Sequence, residues 1–517
     1  MSYFIGHDLG THGNKAVLVS AEGRVLATAR STFGLVHPGP GMAEQDPADW
    51  WRAVALCTRE VVERAGVPPR DIRAVAFAGQ MLALVPMDAA HRPVGRCICW
   101  LDGRAGSEAA ALTRRLGGAT VCRALAGATP GAKDIVPKVW WLRRERPHAW
   151  ERVRYLTDAT GCLVAMATGR TTWDVTGAAA TGLIDGRRRT WSRVLARLAS
   201  FPLDRTAPLL ECTAIAGELS SEAASALGLR AGTPVAAGLA DIPAAAVGAG
   251  ATRVGDVHVC LGTSSWVAMT LERPRHVPKA GMVSTAAAAP GTHLLIGENE
   301  TAGACAAWLA REVWPEGGAD VDEVLGQVDR LAGTSEAGAG GLIFAPWMFG
   351  ERSPVPDASL RGAFLGLSLE HRRAEVVRAV HEGIALNLAW TLQEGSGSGQ
   401  GSGPVRVVGG GTASTTLLQA LADALDHPLE VAAAAPHAGA VGAAMIAAVA
   451  VGEVGSVAEI RERVEIRQRV EPRRANVPIY RELLSILREA QPALSRVSAR
   501  LEPFRRSEGH GATSGGA

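Results

Sequence analysis

At 517 residues the chain exceeds the ~250–300 residues at which a single core stops growing, so two or three domains are expected. Its 53 basic and 51 acidic residues leave a formal charge of +2, which speaks against nucleic acid or an anionic membrane as partner. The 47% hydrophobic content is ordinary for a globular protein, and no uninterrupted apolar run reaches the ~20 residues of a membrane helix.

The predicted elements begin at once. Strands are expected over 3–8, 15–20 and 24–30, with hairpin chemistry in Ala21-Glu22-Gly23-Arg24. Asp46-Pro47 opens a helix: Asp46 can cap it and Pro47 suits its first turn. Trp50, Val54, Cys57, Val61 and Val62 give its apolar stripe, and Gly66 ends it. A strand over 74–78 runs into Gly79-Gln80-Met81. A meander, a helix and another strand make a mixed sheet flanked by helices. Further on, Lys138-Val139-Trp140-Trp141-Leu142 reads as a packed helix with Lys138 at its exposed start.

A strand from Thr233 then hands over to a small-residue helix at 244–250, with Asp241 at the junction. The second half repeats the plan. An apolar stretch at 254–259 leads to a strand ending at Gly262, and another strand follows over 266–271. A helix is expected over 301–311, and a long one over 372–394 carries the stripe Val376, Val380, Ile384, Leu388, Leu392. Residues 395–403 are Gly/Ser-rich and read as a flexible surface loop. The strand 405–408 runs into Gly409-Gly410-Gly411, and a helix starts near Ser414-Thr415. A boundary near 245–255 divides the chain into lobes over 1–248 and 249–490, and 505–517 has the composition of a disordered tail. No secretory signal precedes the first strand, and the eight scattered cysteines read as reduced, mostly buried thiols, so a cytoplasmic location is expected.

One phrase is written twice. Asp8-Leu9-Gly10-Thr11 follows the first apolar stretch, and Cys260-Leu261-Gly262-Thr263 follows the later one, which sets Asp8 opposite Cys260. Glycine lets backbone N–H groups and the Thr hydroxyl approach phosphate oxygens closely, so Gly10-Thr11 and Gly262-Thr263 are candidate phosphate turns. Asp8 could hold a metal directly or through water, as Mg²⁺ keeps several of its waters. For Asp8-Leu9-Gly10-Thr11 alone a hairpin with a solvated Asp is the better reading; its recurrence as Leu261-Gly262-Thr263-Ser264 shifts the balance. Lys15 could touch phosphate or lie at a strand edge. Gly409-Gly410-Gly411 is a third backbone-exposing turn before a helix start, or simply a tight connection. No Gly-x-x-x-x-Gly-Lys-Ser/Thr occurs, and no Gly-x-Gly-x-x-Gly opens a helix after a strand.

Asp241 is the candidate general base, able to take a proton from an alcohol attacking a phosphoryl group. A helix N-cap is the commoner use of an aspartate there. Gln80 and Asp102 could bind polyol hydroxyls while Trp100 covers a carbon face. Equally, Asp102 and Arg104 could form a structural ion pair, with Trp100 in the core.

Together these segments resemble the FGGY carbohydrate kinases, in their xylulokinase-like branch. The resemblance rests on Gly6-His7-Asp8-Leu9-Gly10-Thr11, Gly79-Gln80-Met81, Trp100-Leu101-Asp102-Gly103-Arg104, Pro137-Lys138-Val139-Trp140-Trp141-Leu142, Gly238-Leu239-Ala240-Asp241 and Leu261-Gly262-Thr263-Ser264. It continues through Gly350-Glu351-Arg352-Ser353-Pro354, the segment from Arg361 to Leu367, Gly409-Gly410-Gly411 and the segment from Gly439 to Ala444. It implies an α/β protein of two actin/hexokinase-type (ribonuclease H-like) lobes with a nucleotide and sugar cleft between them. By the same resemblance Asp241 is the general base and Asp8 supports Mg²⁺ and phosphate. Gly262-Thr263 would contact phosphate, Gly409-Gly410-Gly411 would flank the adenosine of ATP, and Met81-Leu82, with Trp100 and Asp102, would line the sugar site.

One departure bears on substrate. Xylulokinases read Gln-Met-His-Gly where this chain reads Gln80-Met81-Leu82-Ala83. Leu82 cannot hydrogen-bond, and a lost hydroxyl partner changes which polyol a site accepts. His12 and Asn14 also stand where the family often has small or hydroxyl residues. The expected activity is ATP- and Mg²⁺-dependent phosphorylation of a small sugar or polyol, with a pentulose such as xylulose first. Glycerol, a tetritol, a pentitol or a hexulose is the alternative substrate, and a non-catalytic sugar-binding regulator the alternative class. The retained Asp8 and Asp241 favour the enzyme. The expected partner is the small-molecule substrate, and a homodimer is one assembly compatible with the family.

Overall fold

Near-continuous apolar runs bury the main strands on both faces, and each half builds one seven-stranded sheet on a shared plan. The computed structural model describes residues 2–126, 128–313, 321–396 and 403–505. In the first seven-stranded sheet Tyr3–Leu9 is central. It pairs antiparallel with Gly13–Ser20, which pairs in turn with Val25–Thr32, and parallel with Ile72–Gly79 on its other side. Pro234–Ala236 and Leu239–Ala240 both lie parallel to Ile72–Gly79, and Ile215–Glu218 closes that edge antiparallel.

The second seven-stranded sheet repeats this order around Val257–Leu261. Its antiparallel neighbour is Ser265–Leu271, flanked by His293–Asn299 and Val283–Ala286. Its parallel neighbour is Val405–Val408, followed by Leu429–Ala432 and the antiparallel Ile466–Val470. The strands that carry Asp8 and Cys260 are thus equivalent, each with an antiparallel partner on one side and a parallel one on the other.

Helix Pro47–Ala65 forms as its punctuation predicts. Asp46 Oδ1 accepts from the Ala48 amide at 2.9 Å, Pro47 occupies the first turn, and Gly66 ends the helix at φ 62°. Its Trp50, Val54, Cys57 and Val61 pack on Ile5, Leu9, Leu18, Val75 and Phe77, one face of the first sheet. The opposite face, Phe4, Val17, Val19, Ala74 and Ala76, is covered by helix Ala438–Ala450 from the far end of the chain. Conversely, Ile242 and Ala246 of helix Asp241–Gly248 pack on Ala268, Leu294 and Ile296 of the second sheet. The two helices cross with backbones in contact: a Cβ at Gly442 would stand 2.0 Å from the Ala244 carbonyl oxygen.

Several expectations shift. The long helix runs Arg373–Ser396 and is buried on almost every side, so Gly395 is helical rather than loop. The remainder of the Gly/Ser-rich stretch, 397–402, lies outside the described residues, as does the tail from 506 to 517. The helix expected over 301–311 is α-helical over Gly303–Trp308 and continues as a π turn to Val313. All eight cysteines are free and buried. Among the described residues no helix is long and apolar enough to cross a membrane.

Candidate active site

The end of the Tyr3–Leu9 strand and the start of the Asp241–Gly248 helix bring two carboxylates to one cleft. Asp8 lies opposite Lys15 in the hairpin register. Asp241 is the first residue of its helix, with Ala240 in the capping position, and its Oδ1 accepts the Ile242 amide at 2.9 Å. An N-cap would instead accept from an amide two or three residues on, so this aspartate is not serving as one. Burial pushes Asp241 up to about 7, and the nearby charge of Asp8 adds to the rise, as does that of Glu298. Burial likewise raises Asp8, with the Lys15 cation opposing. The same two carboxylates act on the Cys260 thiol, pushed up to about 12 chiefly by burial. Lys15, left between two readings by its sequence, donates Nζ to the Pro436 carbonyl at 2.9 Å and so ties the first hairpin to the second half.

The turns that carry the repeated phrase are held differently. In the first, the Gly10 amide donates to the Gly13 carbonyl at 3.0 Å, and Thr11 Oγ1 accepts from Trp100 Nε1 at 2.8 Å. Asn14 has an internal partner: its Nδ2 lies 3.1 Å from His7 Nδ1, while His7 Nε2 lies 3.2 Å from Thr58 Oγ1. Burial drives His7 down to about 3, so the ring is neutral and packs flat on Phe77. His12, at the turn tip, is exposed. In the second turn, Gly262 and Thr263 give their carbonyls to the Ala302, Gly303 and Ala304 amides, each at 3.0 Å. Gly409, at φ 96°, presses on it so closely that a Cβ would stand 2.4 Å from the Leu261 oxygen. Gly410 and Gly411 follow in a short 3₁₀ turn before helix Thr415–Leu425. The Gly262-Thr263 and Gly409-Gly410-Gly411 turns therefore form one backbone-lined surface. Asp329, unmarked by the sequence reading, anchors it by accepting from Ser414 Oγ and from the Thr415 amide at 3.1 Å.

Met81, Leu82 and Trp100 lie beside these groups: the Met81 amide bonds to Asp241, and Trp100 reaches the first turn through Thr11. Met81 packs beside Ile242 and Trp266. Leu82 sits at φ 59° in the turn after Gln80. Its carbonyl accepts from Lys138 Nζ at 2.9 Å, and Lys138 also donates to the Cys99 carbonyl at 2.7 Å. Far from being exposed, Lys138 is 0% accessible, and burial drives its amine down to about 8. The sequence could not place it because its partners are backbone atoms of two distant loops. Gln80 is buried and donates to Gln45 Oε1 at 2.7 Å, with its own Oε1 unpartnered. Asp102 is fully engaged: its oxygens accept the Ala43 amide at 2.6 Å and the Arg104 guanidinium at 2.7–2.9 Å. That is the ion pair the sequence offered as one of its two readings. It leaves Asp102 holding the Trp100 loop in place.

The two halves of the chain meet at Trp100. The Arg352 guanidinium lies 6.0 Å from its ring centroid and Lys133 Nζ 5.6 Å. Arg352 pairs with Glu298 and, at 2.5 Å, with Glu300. The motif Gly350-Glu351-Arg352-Ser353-Pro354 gives no local sign that this arginine reaches Trp100. Its charged neighbours come from separate strands and loops.

The donor set fits a hard cation that keeps its waters. Among the described residues no group of three or more His, Cys, Asp or Glu side chains forms a cage. Asp8 offers an oxygen ligand near a second carboxylate, Asp241, and one or two carboxylates with retained waters are a usual Mg²⁺ donor set.

Two models of one family match successive parts of the chain. The model of the FGGY family of carbohydrate kinases, N-terminal domain, matches residues 3–248, and that of its C-terminal domain matches 257–451. The xylulose kinase of Bacillus subtilis (strain 168) is 28% identical over 98% of this chain and 100% of its own. That of Escherichia coli (strain K12) is 29% identical over 88% of this chain and 92% of its own. Among solved structures, a xyloylose kinase from Brucella ovis superposes with a TM-score of 0.85 at 28% identity, covering 96% of this chain and 100% of its own.

Proposed function

The chain belongs to the FGGY family of carbohydrate kinases, and we propose that it transfers the γ-phosphoryl group of ATP to a hydroxyl of a small sugar or polyol, a pentulose such as xylulose first. It is a sugar kinase. The observation that carries it is the placement of Asp241 at a helix start in the cleft, raised to about 7 by burial and by Asp8. A base whose pKa lies near the working pH combines ionisation with proton affinity, as removal of an alcohol proton during phosphoryl transfer needs.

The chain's own groups then divide the work. Asp241 takes the substrate hydroxyl proton. Thr11 of the first turn and Gly262-Thr263 of the second hold phosphate oxygens with backbone N–H groups and hydroxyls, and Gly409-Gly410-Gly411 flanks the adenosine. Asp8 would hold Mg²⁺, which when bound neutralises phosphate charge and relieves the repulsion on Asp241. Met81, Leu82 and Trp100 face the sugar carbons, while Gln80 and Asp102 support their loops. Trp100 and Arg352, meeting from the two halves, exclude water, which would otherwise compete as nucleophile.

Leu82 favours a second substrate reading, another polyol such as glycerol, a tetritol, a pentitol or a hexulose, because an apolar side chain stands where a hydroxyl partner is expected. A screen of ADP release over pentuloses, hexuloses, pentitols, tetritols and glycerol tests both. Turnover with one of them identifies the substrate, and no sugar-dependent ADP release with any would overturn the kinase assignment.

A further inference from the structure

The two-residue strand Leu239–Ala240, which delivers Asp241 to the cleft, is gripped by two hydroxyls. Thr160 Oγ1 donates to the Leu239 carbonyl at 3.1 Å, and the Ala240 amide donates to Thr176 Oγ1 at 2.9 Å. Each threonine sits in the first turn of a helix, Ala159–Thr168 or Val175–Ala179, and each helix is capped by an aspartate. Asp158 Oδ1 accepts the Gly161 amide at 2.9 Å. Asp174 Oδ1 accepts the Thr176 and Gly177 amides at 2.9 Å and the Thr176 hydroxyl at 2.5 Å. The Thr176 hydroxyl is thereby oriented: its proton goes to Asp174, so its lone pair faces the Ala240 amide.

The second oxygens of the two caps converge. A Cβ on Gly177 would stand 1.9 Å from Asp158 Oδ2 and 2.9 Å from Asp174 Oδ2, so only glycine admits both. Asp158 and Asp174 are 3% and 0% exposed, and Asp174 Oδ2 has no hydrogen-bond partner within the protein. Facing them are the Cys162 and Cys212 thiols, and beyond Cys212 lies Arg189, already paired with Glu211 at 2.8 Å. No free cation therefore compensates two negative charges among the described groups, and two buried carboxylates side by side do not both ionise.

We propose that Asp158 and Asp174 share one proton between their Oδ2 atoms, and that this pair, through Thr160 and Thr176, is the positioning device that aims Asp241. The proton lets both residues cap their helices without mutual repulsion, and the caps fix the two hydroxyls that hold the strand. Burial, and then the charge of its partner, raises Asp158 well above the ordinary carboxylate range, in keeping with a retained proton. The inference rests on Asp241 being the base.

The test uses the full chain and whichever sugar gives turnover. Thr176→Val leaves the Ala240 amide unpaired. It is expected to lower kcat by roughly tenfold or more, with sugar KM changed by less than about threefold, and to move the acidic limb of the kcat/KM profile. Thr176→Ser, which keeps the hydroxyl, is expected to restore kcat. Thr160→Val, read by the same criteria, carries the test if T176V does not fold. A valine variant with parental kcat and acidic limb, or a loss that serine does not repair, overturns the positioning role. Asp158→Asn supplies an N–H to Asp174 in place of the shared proton, so its Tm should fall less than the parent's between pH 6 and pH 9, roughly the window in which such a raised carboxyl ionises. A parental slope, or failure of D158N to fold, overturns the shared proton. Asp241→Asn is measured alongside: retained turnover there removes the base itself, whereas an inactive D241N with a normal T176V removes this inference alone.

Discussion

Gly439 and Asp8 touch across the two halves of the chain: a Cβ on Gly439 would stand 2.7 Å from the Asp8 carboxyl carbon. Gly439 belongs to the first turn of helix Ala438–Ala450, so the carboxylate rests against the positive end of a helix from the other half. A missing side chain makes room for a functional one.

Gly439→Ala is therefore expected to fold but to push Asp8 aside. A displacement of about 1 Å at a reacting centre costs on the order of 100-fold in rate, so kcat should fall by roughly that much while sugar KM holds. Steady-state kinetics beside circular dichroism check this. A parental kcat would show that Asp8 is not needed where it stands.

Asp241→Asn should abolish most turnover and change stability in a pH-dependent way. The folded carboxyl ionises near 7, well above the unfolded value of about 4, so between these values the folded state holds a proton that the unfolded state lacks. This group's contribution to stability is thus greatest at low pH and is lost as pH rises through that window. D241N should match the parent near pH 4 and melt roughly 1–3 °C higher at pH 8, a small shift because the chain is long. A lower melting temperature at pH 8 contradicts the sign.

Leu82→His tests the substrate side. Leu82 sits at φ 59°, a region that histidine tolerates better than leucine, so backbone strain does not oppose the change. Supplying a hydrogen-bond partner should raise kcat/KM for a ketopentose by about tenfold or more. If another polyol is the wild-type substrate, the preference for it should weaken in parallel. An unchanged specificity ratio would place Leu82 outside the sugar site.

Lys138→Met removes the donor shared by the Leu82 and Cys99 carbonyls. Each buried carbonyl left unpaired costs about 1–3 kcal/mol, so Tm should drop. The loops after Gln80 and around Trp100 would lose their common tie. Sugar KM is therefore expected to rise roughly tenfold, with ATP KM nearly unchanged. A matched rise in both would point to general loosening.

What the sequence revealed and withheld follows from the range of each interaction. The strand around Asp8 and its counterpart around Cys260 were legible because Leu-Gly-Thr after an apolar stretch is a local signal. The Asp46 cap and the Trp50 stripe were legible for the same reason. Lys138 was not: a lysine at a helix start looks solvated, and its carbonyl partners lie 39 and 56 residues away. Asp102 offered two readings because an Arg two residues on cannot reveal whether the carboxylate is spare. Thr176 gave no signal at all, since a hydroxyl gripping a distant amide leaves no periodicity.

The crossing of helices Asp241–Gly248 and Ala438–Ala450 reaches beyond catalysis. Each sits on the sheet built by the other half, so neither half of the polypeptide owns a complete core. Two fragments produced by cutting the chain between 249 and 256 would each display a bare apolar sheet face. They would be poor folders alone and would regain structure on mixing, as complementing pieces of one protein.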